Sequence, residues 1–216
     1  MKSANVQKTV FVFASALALS GCATSPPTQI FTLDAAIPSP ATVAAYVGAP
    51  IRVESVQIPP SLNRAELVRQ TGPDLLKIED FAHWSAPLGQ LARNALTQDL
   101  ASRLSAGAVI YPDAASPSNV RGLSVNILAF TASADTAFLD VSWTLTADQH
   151  EVDAPVLRPH AVVGPPNVTP LAPPLLRRTL RLSVPVSGAS PQDQAEALSQ
   201  LLGQLAESVV KNVTSE

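Results

Sequence analysis

Few side chains in this 216-residue chain could do chemistry: three histidines and one cysteine. His83, His150 and His160 do not pair at a spacing that would hold a metal ion, such as two histidines four residues apart. The sequence also contains no glycine-flanked serine nucleophile motif, no phosphate-binding glycine-rich loop and no cysteine pair. We therefore predict no enzymatic activity, no metal and no other cofactor, and the single thiol of Cys22 is the remaining candidate for modification.

Cys22 closes a segment that has the features of an export signal. Lys2 and Lys8 are followed by a predominantly apolar run over Val10–Leu19, which is too short to span a bilayer. The small residues that precede the cysteine suit a peptidase pocket, and the stretch Leu19–Cys22 resembles a bacterial lipobox. That resemblance implies cleavage before Cys22 and lipidation of its thiol, so the cysteine is an anchor and not a catalyst. An ordinary signal peptide with a chance cysteine is the alternative.

The predicted organisation is one exported domain on a short lipid-anchored tether. We assign residues 1–21 to the signal peptide, 22–28 to the tether and 29–216 to a single domain, because the mature length suits one core. Removal of the leader takes two of the 14 basic residues and none of the 17 acidic ones, so the mature net charge is about −5. This charge does not support nucleic acid as a partner. The low charged fraction of 14% indicates that partners cover part of the surface.

Hydrophobic periodicity predicts the elements of this domain. An apolar stripe at helical spacing indicates a helix over Pro87–Leu104, with Gly107 as its stop and Trp84 packed at its entrance. Ser190-Pro191-Gln192-Asp193 is a typical start for a second helix. Strand-forming runs predict eight strands: 29–33, 51–58, 66–69, 75–78, 109–111, 120–130, 138–146 and 180–186. This order favours an α+β fold, a mixed, largely antiparallel sheet with two amphipathic helices packed on it.

Two stretches depart from regular patterns. The alternation in 51–58 shifts phase at Ser55, which predicts a bulge. Ile51 and Val53 are then expected on one face of the strand, and Val56 and Ile58 on the other. Residues 155–174 carry seven prolines, which predicts a long, stiff loop with no regular element. A functional loop and a tolerated insertion fit that composition equally well.

Three stretches between positions 51 and 104 carry a family resemblance. They are Ile51-Arg-Val-Glu-Ser-Val-Gln-Ile-Pro-Pro60, Ser61-Leu62-Asn63-Arg64-Ala-Glu66-Leu-Val68, and Trp84-Ser-Ala-Pro-Leu88 leading to Leu100-Ala-Ser-Arg-Leu104. Together they resemble the ABC-type transport auxiliary lipoproteins, the PqiC/YmbA group. The similarity extends to the lipobox, to the stretch 29–34 and to the terminal helix. Asn63 departs from the aspartate usual in the family, and 155–174 has no counterpart there.

The resemblance implies a periplasmic lipoprotein that assists an MCE-type transport system moving lipids or other hydrophobic molecules between the inner and outer membranes. Its implied partners are a periplasmic MCE-domain protein with its inner-membrane permease or ABC complex, and the membrane itself through the lipid on Cys22. Ala23 after the cysteine favours the periplasmic side of the outer membrane. There are two alternatives: a lipoprotein that itself binds a lipid or small hydrophobe, and an envelope assembly factor. The sequence leaves open whether the protein forms a homo-oligomer.

The loop Pro59–Arg64 is the predicted contact with that partner. It matches the family pattern, whereas the other proline-rich candidate, 155–174, does not. We expect Leu62 and Arg64 to project from the loop, and its prolines to reduce the ordering cost on association. The alternative is that Arg64 merely pairs with Glu66 or another surface acid, which contributes little to stability.

The anchor assignment gives the first testable prediction. Cys22→Ser should yield an uncleaved or soluble precursor, because no thiol remains to receive the diacylglyceryl group. Fractionation and labelling with a radioactive fatty acid measure this outcome directly. Label incorporated at the wild-type level would refute the lipobox assignment.

Overall fold

The computed structural model describes residues 26–36, 43–115, 117, 119–147 and 174–215, which form one mixed sheet with two helices packed on it. The predicted α+β fold class is therefore confirmed. Cys22 and residues 155–173 of the proline-rich stretch lie outside the described residues. The strands are β1 Gln29–Phe31, β2 Ile51–Gln57, β3 Glu66–Gly72, β4 Leu75–Trp84, β5 Val109–Ile110, β6 Arg121–Ala132, β7 Thr136–Thr146 and β8 Pro174–Pro185. The helices are α1 Leu88–Arg103 and α2 Pro191–Val213.

β6 organises the sheet, because three other strands pair with it. β7 runs antiparallel along one edge of β6, and β2 runs parallel along the first half of the opposite edge. β3 meets that opposite edge only at its far end, where Arg69 pairs with Ala132 in parallel register. The sheet continues beyond these neighbours through β8, β4, β1 and β5. One edge of β6 is thus divided between two strands.

The core lies between the sheet and the helices and follows the predicted periodicities. The inward residues of β7 have no exposed surface, and neither do the central leucines of the α2 stripe; they are Leu139, Val141, Trp143, Leu145, Leu201, Leu202 and Leu205. Burial of each such side chain stabilises the fold by about 1.5–3 kcal/mol relative to exposure. Strict alternation in β7 and helical spacing in α2 are therefore consequences of the same two-layer packing.

The predicted bulge in β2 is present, at Glu54. Val53 lies opposite Leu123, and after the extra residue Val56 lies opposite Val125. Because both partners are buried core residues, the bulge returns Val56 to the core face. The prediction that the second half of the strand faces away from the core is wrong, since the phase shift in the sequence compensates for the bulge.

The start of α2 agrees with the sequence. Ser190 caps the helix, its Oγ accepting from the backbone N–H of Asp193 at 3.2 Å. The Asp193 carboxylate in turn accepts from the Ser190 backbone N–H at 3.0 Å, which completes a capping box. The Ser190 hydroxyl also donates to this carboxylate, and the side-chain and backbone hydrogen bonds from Ser190 lower the pKa of Asp193. Within the described part of the chain, no helix is both long and apolar enough to cross a membrane.

Several element boundaries differ from the sequence prediction: most strand ends shift by one to three residues, and β4 continues to Trp84, six residues beyond its predicted end. α1 ends because Leu104 adopts an extended conformation, so Gly107, at φ 83°, forms a later turn and does not terminate the helix. β8 begins at Pro174, six residues before the predicted start, because its first half lacks the two-residue alternation used to locate strands. The predicted loop therefore does not include Pro174. Among the described strands β8 pairs only with β7, and such an edge strand tolerates proline.

A buried ion pair joins α1 to the N-terminal segment. The Arg103 guanidinium donates to the Asp99 carboxylate at 2.6 Å and to the backbone carbonyl of Ala36 at 2.6 Å. Both charged side chains are buried. Burial raises the pKa of Asp99, and the hydrogen bond from Arg103 acts in the opposite direction.

Gly203 of α2 permits this arrangement. A Cβ atom at Gly203 would lie 2.7 Å from the Ala36 Cβ and 3.2 Å from an Arg103 nitrogen, so any side chain there would push the segment away. The N-terminal segment is consequently packed tightly against both helices at this point.

The ion pair gives the second prediction. Asp99→Ala should lower the free energy of unfolding by about 3–5 kcal/mol, because it leaves a buried guanidinium without its counter-charge. The double variant Asp99→Leu, Arg103→Met removes both charges and should lose less than the sum of the two single changes. Urea unfolding of the single and double variants measures the coupling. Additive losses of unfolding free energy would contradict an energetic coupling between Asp99 and Arg103.

Candidate functional site

The loop between β2 and β3, residues 59–65, is a compact hydrogen-bonded turn. The Pro59 carbonyl accepts from the backbone N–H groups of Leu62 at 2.9 Å and Asn63 at 3.1 Å. At the other end the Ala65 carbonyl accepts from the Trp84 N–H at 2.7 Å, which ties the loop to the end of β4. The loop is therefore held at both ends by backbone hydrogen bonds.

Leu62 does not project from this loop. Its side chain is 5% exposed and belongs to the core, so the expectation that Leu62 faces a partner is wrong. Arg64 is exposed, and its Nε donates to a Glu66 carboxylate oxygen at 2.9 Å. That hydrogen bond lowers the pKa of Glu66. The surface pairing considered for Arg64 is thus present, and the described structure does not test whether Arg64 also contacts a partner.

Two concave surfaces flank the loop. On one side lies a groove of about 600 Å³, lined by Val56, Gln57, Ile58, Pro59, Pro60, Asn63, Gly89, Asn126, Ile127 and Leu128. On the other side lies a cleft of about 380 Å³, lined by Asn63, Arg64, Ala65, Trp84, Ala86 and Pro87. Asn63 is exposed and lines both of them. We call the loop with its groove and cleft the loop surface.

The divided edge of β6 creates the groove. β2 pairs with β6 as far as Asn126, and β3 rejoins the same edge only at Ala132. The loop crosses the gap between them. Leu128, at an irregularity in the β6–β7 pairing, points to the same exposed face of β6 as Asn126 and is 54% exposed on the groove wall. An exposed leucine beside proline and asparagine side chains offers a partner apolar contact together with hydrogen-bonding groups.

α1 fixes the far wall of the groove. A Cβ atom on Gly89 would lie 3.2 Å from the Val56 carbonyl oxygen, so glycine allows the first turn of α1 to approach the end of β2. Further along the helix, Arg93 Nε donates to the Val53 carbonyl at 2.8 Å. These contacts hold the end of β2, and with it the start of the loop, in one position.

The loop surface combines apolar and amide groups with few charges. Within the described ranges, no three histidine, cysteine, aspartate or glutamate side chains lie together as a metal site. His83 lies at the end of β4 and not at a helix start, and its Nε2 is 3.1 Å from the Asp80 carbonyl. The charged groups at the loop itself are the paired Arg64 and Glu66. The arrangement can present shape, apolar surface and amide groups to a partner.

The sequence predicts the loop but does not indicate that Asn63 and Leu128 are both exposed at the groove. Asn63 is a departure from the family pattern, and Leu128 falls within a predicted strand. Gly89 near the start of a predicted helix was the available signal, because glycine in a helix often marks a close approach of another chain segment. Cys22 lies outside the described residues, so its lipidation stays a prediction.

Comparisons with known proteins give a family and a fold. The family model described as the ABC-type transport auxiliary lipoprotein component matches residues 31–210. The comparison with curated proteins finds no match. One solved structure, described only as an uncharacterized protein, has a TM-score of 0.64 and 16% identity, over 87% of this chain and 99% of its own. Another, a Xanthomonas campestris protein of the DUF330 family, has a TM-score of 0.60 and 14% identity, over 87% and 97%. At these identities the likeness shows the fold alone.

Trp84 gives the third prediction. It is 6% exposed at the entrance to α1, which confirms the expected packing there, and it also lines the cleft. Trp84→Ala should lower the free energy of unfolding by about 3–5 kcal/mol, as a large core truncation does. Phe138→Ala is the control, because that ring is 42% exposed on β7 and should cost much less. Equal losses in thermal melting would show that Trp84 is not a core residue in solution.

Proposed function

Because the chain belongs to the ABC-type transport auxiliary lipoprotein family, we propose that it is a non-catalytic component of an MCE-type system that moves lipids or other hydrophobic molecules across the envelope. In this proposal the lipid on Cys22 holds the domain at the periplasmic side of the outer membrane. The loop surface then docks the periplasmic MCE-domain protein, which connects to an inner-membrane permease or ABC complex.

The position of the loop surface relative to the tether carries this proposal. Pro26 and Pro27 line a pocket with Glu79 and Phe81 of β4, so the tether meets the domain beside that strand. β1 is parallel to β4, and the residues before it therefore approach from the side of the β3–β4 turn. The loop precedes β3, so it lies about 20 Å from that turn. The tether attachment lies between the two, because Glu79 pairs with Leu67, two residues beyond the loop. A partner reaching from the periplasm meets the loop surface on the side of the domain.

The composition of the loop surface also suits docking. Pro59 and Pro60 restrict the free loop, and its backbone hydrogen bonds restrict it further. Little conformational entropy is then lost on association, so more of the contact energy becomes affinity. The pairing of Arg64 with Glu66 leaves the loop without a strong field of either sign, which favours apolar and amide contacts over charge attraction.

The alternative of a hydrophobe-binding lipoprotein needs enclosed apolar space between the sheet and the helices. In the described residues that space is occupied by close-packed side chains, of which Trp143, Leu96, Leu100 and Leu123 have no exposed surface. The concave surfaces found in the same residues are open to solvent. Docking is therefore the function that we propose.

The fourth prediction tests this docking. Asn63→Glu with Leu128→Asp should reduce co-purification of the MCE-domain protein from the same cells at least tenfold, equivalent to about 1.4 kcal/mol. Both side chains are exposed, so the melting temperature should stay close to that of the wild type. The readout is the amount of partner recovered per unit of bait after solubilisation of the membrane.

The matched control is Gln98→Glu with Leu175→Asp. These positions are also exposed, on α1 and β8, and lie outside the loop surface. The control should retain the partner at the wild-type level. Recovery of the partner with the Asn63/Leu128 variant, or its loss with both variants, would refute the loop surface as the docking site.

A further inference from the structure

β4 presents an unusual amount of apolar surface near its start. Leu75, Leu76, Ile78 and Phe81 are exposed by 62%, 43%, 38% and 44% respectively. They follow the turn that joins β3 to β4, and we call them the β4 patch. Single exposed apolar residues are ordinary, but here four lie within seven positions. Because successive side chains of a strand point to opposite faces, Leu75 and Leu76 make both faces of the hairpin apolar where β4 begins, which indicates a binding role.

The β4 patch also lies on a free strand edge. β4 pairs with β3 along one edge, and on the other edge β1 reaches only Ala82–Trp84. Within the described chain, the stretch Leu75–Glu79 therefore has one strand neighbour. An apolar strand with a free edge promotes unwanted pairing unless something covers it. The patch is therefore expected to contact another surface, and the tether indicates which surface lies closest to it.

The tether limits how far the β4 patch can be from the lipid anchor. Pro26 lies in a pocket with Glu79 and Phe81, and three residues separate it from Cys22. The chain from Cys22 to Pro26 can extend no farther than roughly 14 Å. The strand from Glu79 back to Leu75 covers about 13 Å. The membrane surface therefore lies no farther from the tether attachment than the far end of the patch does.

We propose that the β4 patch inserts into the interface of the bilayer that carries the lipid anchor. This inference rests on the anchoring of Cys22 in the proposed function. The β3–β4 turn then forms a second membrane contact beside the acyl chains. Insertion to interfacial depth covers the apolar side chains, while the N–H and C=O groups of the free edge stay among headgroups and water, and it fixes the orientation of the domain. The loop surface, at the other end of β3, is held away from the lipid.

The charges around the β4 patch indicate what kind of contact this is. Lys77 and Arg69 lie 3.0 Å and 3.1 Å from the Glu79 carboxylate, so both cations are already engaged by an acid. Asp74 precedes the patch and Asp80 lies within it, before Phe81, and both add negative charge. Attraction to anionic headgroups is therefore weak, and the apolar side chains must carry the contact. The contact should accordingly depend little on salt or on anionic lipid.

A fluorescent label on the patch tests the proposal in the full lipidated protein. Cys22 is the only cysteine and its thiol is acylated in the proposed mature form, so Leu75→Cys introduces one free thiol for an environment-sensitive dye. The matched control is Leu175→Cys, another exposed leucine on a strand, at the far end of the sheet. Both proteins are reconstituted into phosphatidylethanolamine–phosphatidylcholine vesicles, with and without chain-brominated phosphatidylcholine.

We expect the dye at position 75 to shift to shorter wavelength on reconstitution and to be quenched severalfold by brominated lipid, whereas the dye at position 175 changes little. Co-flotation with vesicles reports the anchor separately. Co-flotation with an unquenched dye at position 75 would overturn the insertion of the patch and leave the lipid anchor standing. A wavelength shift without quenching that grows with protein density would show that a second copy covers the patch, which also overturns the proposal. Loss of co-flotation would refute the anchor, and the insertion with it.

Discussion

The divided edge of β6 is the constraint on which the rest of the structure depends. Two strands that run in the same direction share that edge, so the chain between them must cross a gap in the sheet. The crossing segment cannot complete a ladder, and its polar groups are satisfied instead by the turn at Pro59 and by the Ala65–Trp84 hydrogen bond. The groove and the position of the β3–β4 hairpin both follow from this one division.

Elements with a strong local period were predictable from sequence, whereas features that depend on distant contacts were not. β7 and α2 each have one buried face, so their patterns determined their type and orientation. Leu62 shows the limit: one apolar residue among polar ones has no period, and only the position of the core beneath the loop makes it buried. The division of the β6 edge cannot be predicted from the local sequence either, because it depends on which strands pair with β6. The Arg64–Glu66 pair was predictable, since its partners are two residues apart.

The N-terminal segment is attached to the domain by more than β1. The Ala36 carbonyl accepts from the buried Arg103, and the Asp34 N–H donates to Ser199 Oγ at 3.2 Å. Each contact joins the segment to a different helix, and Gly203 allows the close approach. A buried ion pair is seldom the most stabilising choice for a core. Here the hydrogen bond from Arg103 to the Ala36 carbonyl gives the pair a positional role that an apolar pair could not supply.

This attachment has a consequence for a protein held on a membrane. A flexible tether would let the domain rotate freely, and a partner would meet the loop surface in only a fraction of encounters. A short tether that continues into a pinned segment restricts that rotation, so part of the orientational cost of docking is removed before the partner arrives. The affinity required of the loop surface itself is then modest, which agrees with its small, open concavities and its few charges. In the proposed function, orientation by the membrane and a weak but preorganised contact would therefore complement each other during docking.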